Sequence, residues 1–103
     1  IDGYRDNLAK IVTIARTFTS RITMIGMTRV DEPKTMPIAW SPEKFYDNAT
    51  IASYESVLRE FCLSESLLFV EVSDILTVDD LGDGIHPNAE GYRKLYERIG
   101  PHI

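Results

Sequence analysis

The chain has one cysteine, two histidines and one tryptophan in 103 residues. A single cysteine, Cys62, excludes an intrachain disulfide and leaves the compartment open. Clustered basic residues are also missing. Eleven Lys and Arg stand against sixteen Asp and Glu, for a net charge of −5. Phosphate backbones are bound through clustered Lys and Arg, so nucleic acid is not an expected partner. No apolar run approaches the ~20 residues of a membrane span. No signal-peptide pattern, internal repeat or low-complexity segment is visible. The first residue is Ile1 rather than Met, which is compatible with residues upstream.

What is present is ordinary for a soluble globular chain, 44% hydrophobic and 26% charged, and sufficient for one small domain. Residues 2–19 place Tyr4, Leu8, Ile11, Val12, Ala15 and Phe18 at helical spacing. "RITMIGMT", residues 21–28, is nearly continuously apolar, the pattern of a strand buried on both faces of a parallel sheet. A loop is expected over 29–41, with two prolines. Ser41-Pro42-Glu43 is a helix-start pattern, and the helix either begins there or restarts near Asp47. Ile51, Tyr54, Leu58 and Phe61 then line one face to about residue 64. "LLFVEV", residues 67–72, is a second strand, and 73–87 reads as irregular. Asn88 caps a final helix with the inward stripe Ala89, Tyr92, Leu95, Tyr96 and Ile99, and Gly100-Pro101 ends it. This order predicts an α/β fold with parallel strands. Two buried-type strands are too few to close such a sheet. Strand 21–28 is therefore expected to pair with a missing N-terminal segment or another chain.

The chemistry concentrates in "GDGIHPNAEGYRKLYERIG", residues 82–100. Asp83 stands three residues before His86, and Pro87 follows directly. An Asp beside Gly and a His before Pro also make an ordinary turn. Asp79, Asp83, Gly84 and Glu90 partly match a calcium-loop frame, but Leu81 occupies a ligand position. His102 is the only other histidine, and no zinc-ligand cluster accompanies the pair. A further reading, beside the ordinary turn, is hydrolytic. A carboxylate orienting a histidine, which in turn activates a nucleophile, needs this proximity.

"DGIHPNAEGYRKLYERI" resembles the last conserved block of the SGNH hydrolases, the GDSL-type esterases and lipases: Asp-x-x-His-Pro followed by a helix. "YRDNLAKIV", "ITMIGMTRVDE", "YDNATIASYESVLREFC" and "LLFVEV" match that family's order of elements, so the resemblance covers nearly the whole chain. It implies the C-terminal part of a flavodoxin-like three-layer αβα sandwich, spanning residues 1–103, with these strands as the fourth and fifth of the order 2-1-3-4-5. It assigns catalytic roles to Asp83 and His86, with no metal or organic cofactor, acting on a small-molecule ester or thioester. The family's Gly-Asp-Ser nucleophile block and Gly-x-Asn oxyanion block do not occur here, and Asp6-Asn7 lies inside the first helix. None of the serines present sits in a recognisable nucleophile turn. The alternative is a non-catalytic binding or scaffold module that keeps the fold.

In open α/β sheets, ligands bind beyond the carboxyl ends of the strands. Arg29, Met36 and Trp40, in the loop after the first strand, are expected to wall a substrate pocket beside the Asp83–His86 turn, unless Met36 and Trp40 simply cover the sheet. Asp31-Glu32 reads as solvated charge, Cys62 as a helix-face packing residue, and Met24 and Met27 as strand core. Tyr92 and Tyr96 are expected to pack the last helix onto the sheet.

Overall fold

The computed structural model describes residues 2–103. Helix α1 spans Asp2–Ala15, strand β1 Thr23–Ile25, helix α2 Glu32–Thr35, helix α3 Asn48–Glu65, strand β2 Leu68–Val70 and helix α4 Ala89–Ile99. Single 3-10 turns occur at Val78–Asp80 and Gly100–His102. The two strands pair in parallel, with Thr23 opposite Leu68 and Ile25 opposite Val70, and α3 is the crossover between them. The result is an α/β arrangement with a two-stranded parallel sheet.

Helix α3 begins at Asp47, not at Ser41. The Asp47 carboxylate accepts the Thr50 N–H at 2.7 Å, which satisfies one of the free donors of the first turn. Ser41 instead bonds the Glu43 side chain, so Ser41-Pro42-Glu43 forms a turn. Helix α1 ends at Ala15 rather than at residue 19. The Phe18 ring lies in the following turn, 85% exposed.

The apolar core lies between α1 and α3. Leu8 and Val12 of α1 meet Leu58, Phe61 and Cys62 of α3, and Tyr4, Ile22, Met24, Leu67 and Phe69 pack around them. Burial pushes the Cys62 thiol pKa up, which keeps it protonated and unreactive. Burial also raises Tyr4, with a smaller contribution from Cys62.

Helix α4 differs from expectation. Its Asn88 cap is present, the side-chain oxygen accepting Gly91 N–H at 3.0 Å. Its apolar stripe, however, is not covered among the described residues: Tyr92 and Tyr96 are 58% and 75% exposed. Ala89 is exposed too, and only Leu95 and Ile99 are half-buried. With two strands there is too little sheet for the stripe to pack on.

Candidate active site at the Asp83–His86 turn

The turn that carries Asp83 and His86 is built before either side chain acts. Thr77 caps the 3-10 turn through its partner Asp80, whose carboxylate accepts the Thr77 N–H at 2.8 Å. Lys94 of α4 reaches the same buried carboxylate at 2.7 Å. The Asp80 carbonyl accepts the Asn88 N–H at 2.7 Å, and the Asn88 amide donates to the Asp79 carbonyl at 2.9 Å. Leu81 and Pro87 form a bridge across the base of the turn. The segment between them is thereby pinned at both ends, with α4 rising directly from it.

Within that frame Asp83 is the hub. One oxygen accepts the backbone N–H groups of Ile85 (2.9 Å) and His86 (2.8 Å). The other lies 2.5 Å from His86 Nδ1. The His86 N–H, then the imidazole, then the Ile85 N–H hold the Asp83 carboxyl far below the usual carboxylate range. A carboxylate kept ionised can only accept, so Nδ1 carries the proton and Nε2 is the basic atom. The ring is largely exposed, and Nε2 has no hydrogen-bond partner among the described residues. The pair can therefore orient an imidazole and stabilise it when it takes a second proton.

Gly84 fixes where this turn sits. Its φ of +94° belongs to the left-handed region that favours glycine, and a Cβ there would lie 2.8 Å from the Lys34 Cβ. Its carbonyl accepts the Asp31 N–H at 2.9 Å. The loop after β1 is thus latched to the turn. Asp31 and Glu32 are half-buried rather than solvated: Asp31 stands at the N-cap position of α2, its backbone carbonyl accepting the Lys34 N–H at 2.8 Å, and Glu32 accepts the Asn48 N–H at 3.0 Å.

The loop brings Trp40 beside the histidine, with ring centroids 6.1 Å apart at 34°. Both side chains line a cleft of about 660 Å³, whose walls include Met27, Thr28, Val30 and Ile85. The other two expected wall residues lie elsewhere. Arg29 turns to the α3 carboxylate of Glu55 at 2.9 Å and to the Met27 carbonyl at 3.0 Å. Met36 is half-exposed and outside the lining. Glu55 is buried, and it also accepts the Met27 N–H at 2.9 Å. It organises the strand end from 28 residues away, a pairing with no local signature. The wall residue Ile85 was within reach of sequence reasoning, since it separates Gly84 from His86. No group of three or more His, Cys, Asp or Glu side chains capable of holding a metal occurs among the described residues. Among the described residues no helix is long and apolar enough to cross a membrane.

No family model matches the chain, and no curated protein matches it in sequence. A solved structure does match: the crystal structure of a putative acylhydrolase from Bacteroides fragilis, at a TM-score of 0.80 and 19% identity. The match covers 97% of this chain and 50% of that one, so this chain spans about half the length of its structural neighbour. At that identity the likeness is one of fold alone, an α/β arrangement shared with about half of that protein.

Proposed function

We propose that residues 1–103 are the C-terminal part of an SGNH-type serine hydrolase domain, a flavodoxin-like three-layer sandwich when complete. In this reading Asp83 and His86 are two members of a Ser-His-Asp triad, and the serine and oxyanion donors come from upstream. The observation that carries it is the 2.5 Å contact between Asp83 Oδ2 and His86 Nδ1, with the imidazole otherwise open. A plain turn needs no such orientation. The fold likeness to a putative acylhydrolase twice as long supports the same reading.

This reading implies acyl transfer through an acyl-enzyme. The serine oxygen adds to the carbonyl carbon of an ester as His86 Nε2 takes the hydroxyl proton. Asp83 holds the imidazolium that forms. The tetrahedral intermediate collapses, the C–O bond to the alcohol breaks, and His86 returns its proton to the leaving alkoxide. Water then repeats the cycle on the acyl-enzyme. No step requires a metal or an organic cofactor.

The test is hydrolysis of p-nitrophenyl acetate by this chain alone, by an upstream fragment carrying the Gly-Asp-Ser turn, by their mixture, and by a continuous extended protein. The chain alone should be inactive, because a lone base without a positioned substrate and oxyanion donors accelerates little. The extended protein should turn over, and His86→Ala should lower kcat by about 10⁴-fold or more with the circular dichroism unchanged. Undiminished turnover by the His86→Ala protein would remove the histidine from the mechanism. An inert extended protein would favour a binding module that keeps the fold.

A further inference from the structure

The loop after β1 is held by side chains of α3. Glu55 accepts the Met27 N–H and the Arg29 guanidinium, each at 2.9 Å. About two turns earlier in α3, Asn48 holds the next part of the loop. Its Oδ1 accepts the Val30 N–H at 2.8 Å, and its Nδ2 donates to the Val30 carbonyl at 3.0 Å. The helix itself does not call for this amide. Asp47 already caps α3, and Asn is a weak helix former. Both bonds of the Asn48 side chain serve the loop.

The Val30 carbonyl and the Asp31 N–H belong to one peptide unit. That unit is planar and trans, so its oxygen and its hydrogen point in opposite directions. Asn48 Nδ2 grips the oxygen. The hydrogen is the one donated to the Gly84 carbonyl at 2.9 Å, and Gly84 is the neighbour of Asp83. A single rigid plane thus spans from α3 to the candidate catalytic turn. Tilting it at the Asn48 end would move or break its bond at the Gly84 end. Van der Waals contact cannot replace that aim, because contact constrains separation and leaves direction free.

We propose that Asn48 is a positioning residue for His86, acting through the Val30–Asp31 peptide and the Gly84 carbonyl. The proposal rests on the hydrolase reading of Asp83 and His86 and adds a residue to it. Asn48 touches neither the imidazole nor the cleft. Its contribution is to hold the turn in the one place where the Asp83–His86 pair faces a nucleophile. A side-chain amide suits this task because it accepts and donates at once, matching the two faces that Val30 presents. A carboxylate at position 48 would keep the bond from the Val30 N–H. It would lose the donor to the Val30 carbonyl and set a negative charge against that oxygen.

Two measurements separate this proposal from the reading beneath it. The first is kinetic, on the extended protein with p-nitrophenyl acetate. Asn48→Ala and Asn48→Asp should each lower kcat by about 10- to 100-fold with KM within about twofold, since the aim of the imidazole is lost and the cleft is not. Asp31→Pro removes the same N–H, at a φ of −89° close to proline's range, and should do as much. Asp31→Ala keeps the N–H and should stay near the parent rate. Asn48→Ala with Asp31→Pro should cost little more than either alone, because both break one connection. A merely structural Asn48 would lower the denaturation midpoint and leave kcat of the folded enzyme in place. The second measurement needs no turnover. In the 103-residue chain at about pH 8, nitrogen-15 NMR of the neutral imidazole shows which ring nitrogen carries the proton. The parent should hold the Nδ1–H form, and Asn48→Ala should release part of it to the Nε2–H form. Circular dichroism checks folding, and Asn48→Asp carries both readouts if Asn48→Ala does not fold. A tautomer change in the chain beside an inert extended protein would keep Asn48 as the residue that positions the imidazole and sink the hydrolase reading. His86-dependent turnover that Asn48→Ala leaves at the parent rate would sink the positioning role and keep the hydrolase. Additive losses in the double variant with an unchanged tautomer would overturn the connection from Asn48 to Gly84.

Discussion

Two halves of the molecule are held together by different forces. Between α1 and α3 the contacts are apolar: Leu8, Val12, Leu58, Phe61 and Cys62 exclude water and need no particular pH. Around the Asp83–His86 turn and α4 the contacts are polar. Asp80 joins Thr77 and Lys94, Asn88 ties the helix start to Asp79 and Asp80, and Arg98 reaches the Glu71 carbonyl and Asp74. Apolar packing gives cohesion without direction. Hydrogen bonds give direction, and a catalytic imidazole must be aimed within a few tenths of an ångström. The proposed site sits in the half where direction is supplied, and Tyr92 and Tyr96 of that half are exposed.

The largest expected effect tests the directional half. In the extended protein, Asp83→Asn should lower kcat by about 10⁴-fold while barely changing KM. The amide cannot fix the Nδ1–H tautomer as a carboxylate does. It also loses the charge that stabilises the imidazolium. Steady-state kinetics decide it, and a loss below tenfold would mean that the Asp83 contact shapes the turn without serving the reaction. The cohesive half should respond in stability instead. Phe61→Ala, which empties a fully packed position between α1 and α3, should cost about 3–5 kcal/mol by denaturant titration.

How much of this was readable beforehand follows the same division. Local chemistry was legible. Asn88 with Gly100-Pro101 bounded α4, and the Asp83-x-x-His86-Pro87 spacing predicted a contact the structure contains. The strands were legible in place and direction but came out shorter, since pairing ends where the partner does. The four-residue α2 was missed. Its signals, Asp31 before Glu32-Pro33, are those of any turn, and only the bond to Gly84 makes it matter. Arg29 was misplaced because its partner Glu55 is 26 residues away, in α3. Tyr92 and Tyr96 were expected to be covered because helical spacing marks a face and is silent on what lies opposite it.

A pH series should sharpen the contrast. Asp80, through Lys94 first and the Thr77 N–H second, and Asp83, through the His86 N–H first, both have carboxyls depressed below their ordinary values. A depressed folded pKa stabilises the protein above the unfolded pKa of about 4, and that stability is lost as pH falls through the folded value. The polar half should therefore loosen below about pH 4, while the α1–α3 core persists. Asp80→Asn should be destabilised relative to the parent at pH 6, and the gap should narrow at pH 3. Hydrogen exchange at α4 and α3 amides would read the two halves separately. A gap that widens in acid would reverse the sign and reject Asp80 as an ionised anchor.

The smallest expected effect is also the most informative about the open face. Tyr96 of α4 is 75% exposed, so Tyr96→Ser in the 103-residue chain should change stability by no more than about 0.5 kcal/mol. The same face carries Tyr92 and Ile103, and β1 pairs with β2 alone among the described residues. If upstream strands complete the sheet, they pass beneath this face and bury it. Tyr96→Ser should then cost about 2 kcal/mol in the extended protein, the scale of removing a large apolar side chain from cover. The comparison is a difference between two differences, so errors in either absolute stability largely cancel. Denaturant titration of the four proteins suffices, with Phe61→Ala as the control that should cost the same in both backgrounds. A Tyr96 substitution that is silent in both would mean that α4 stays uncovered and that the added strands pack elsewhere. One that is costly already in the short chain would mean that the short chain covers its own face, by pairing with a second copy, and the effect would then scale with protein concentration.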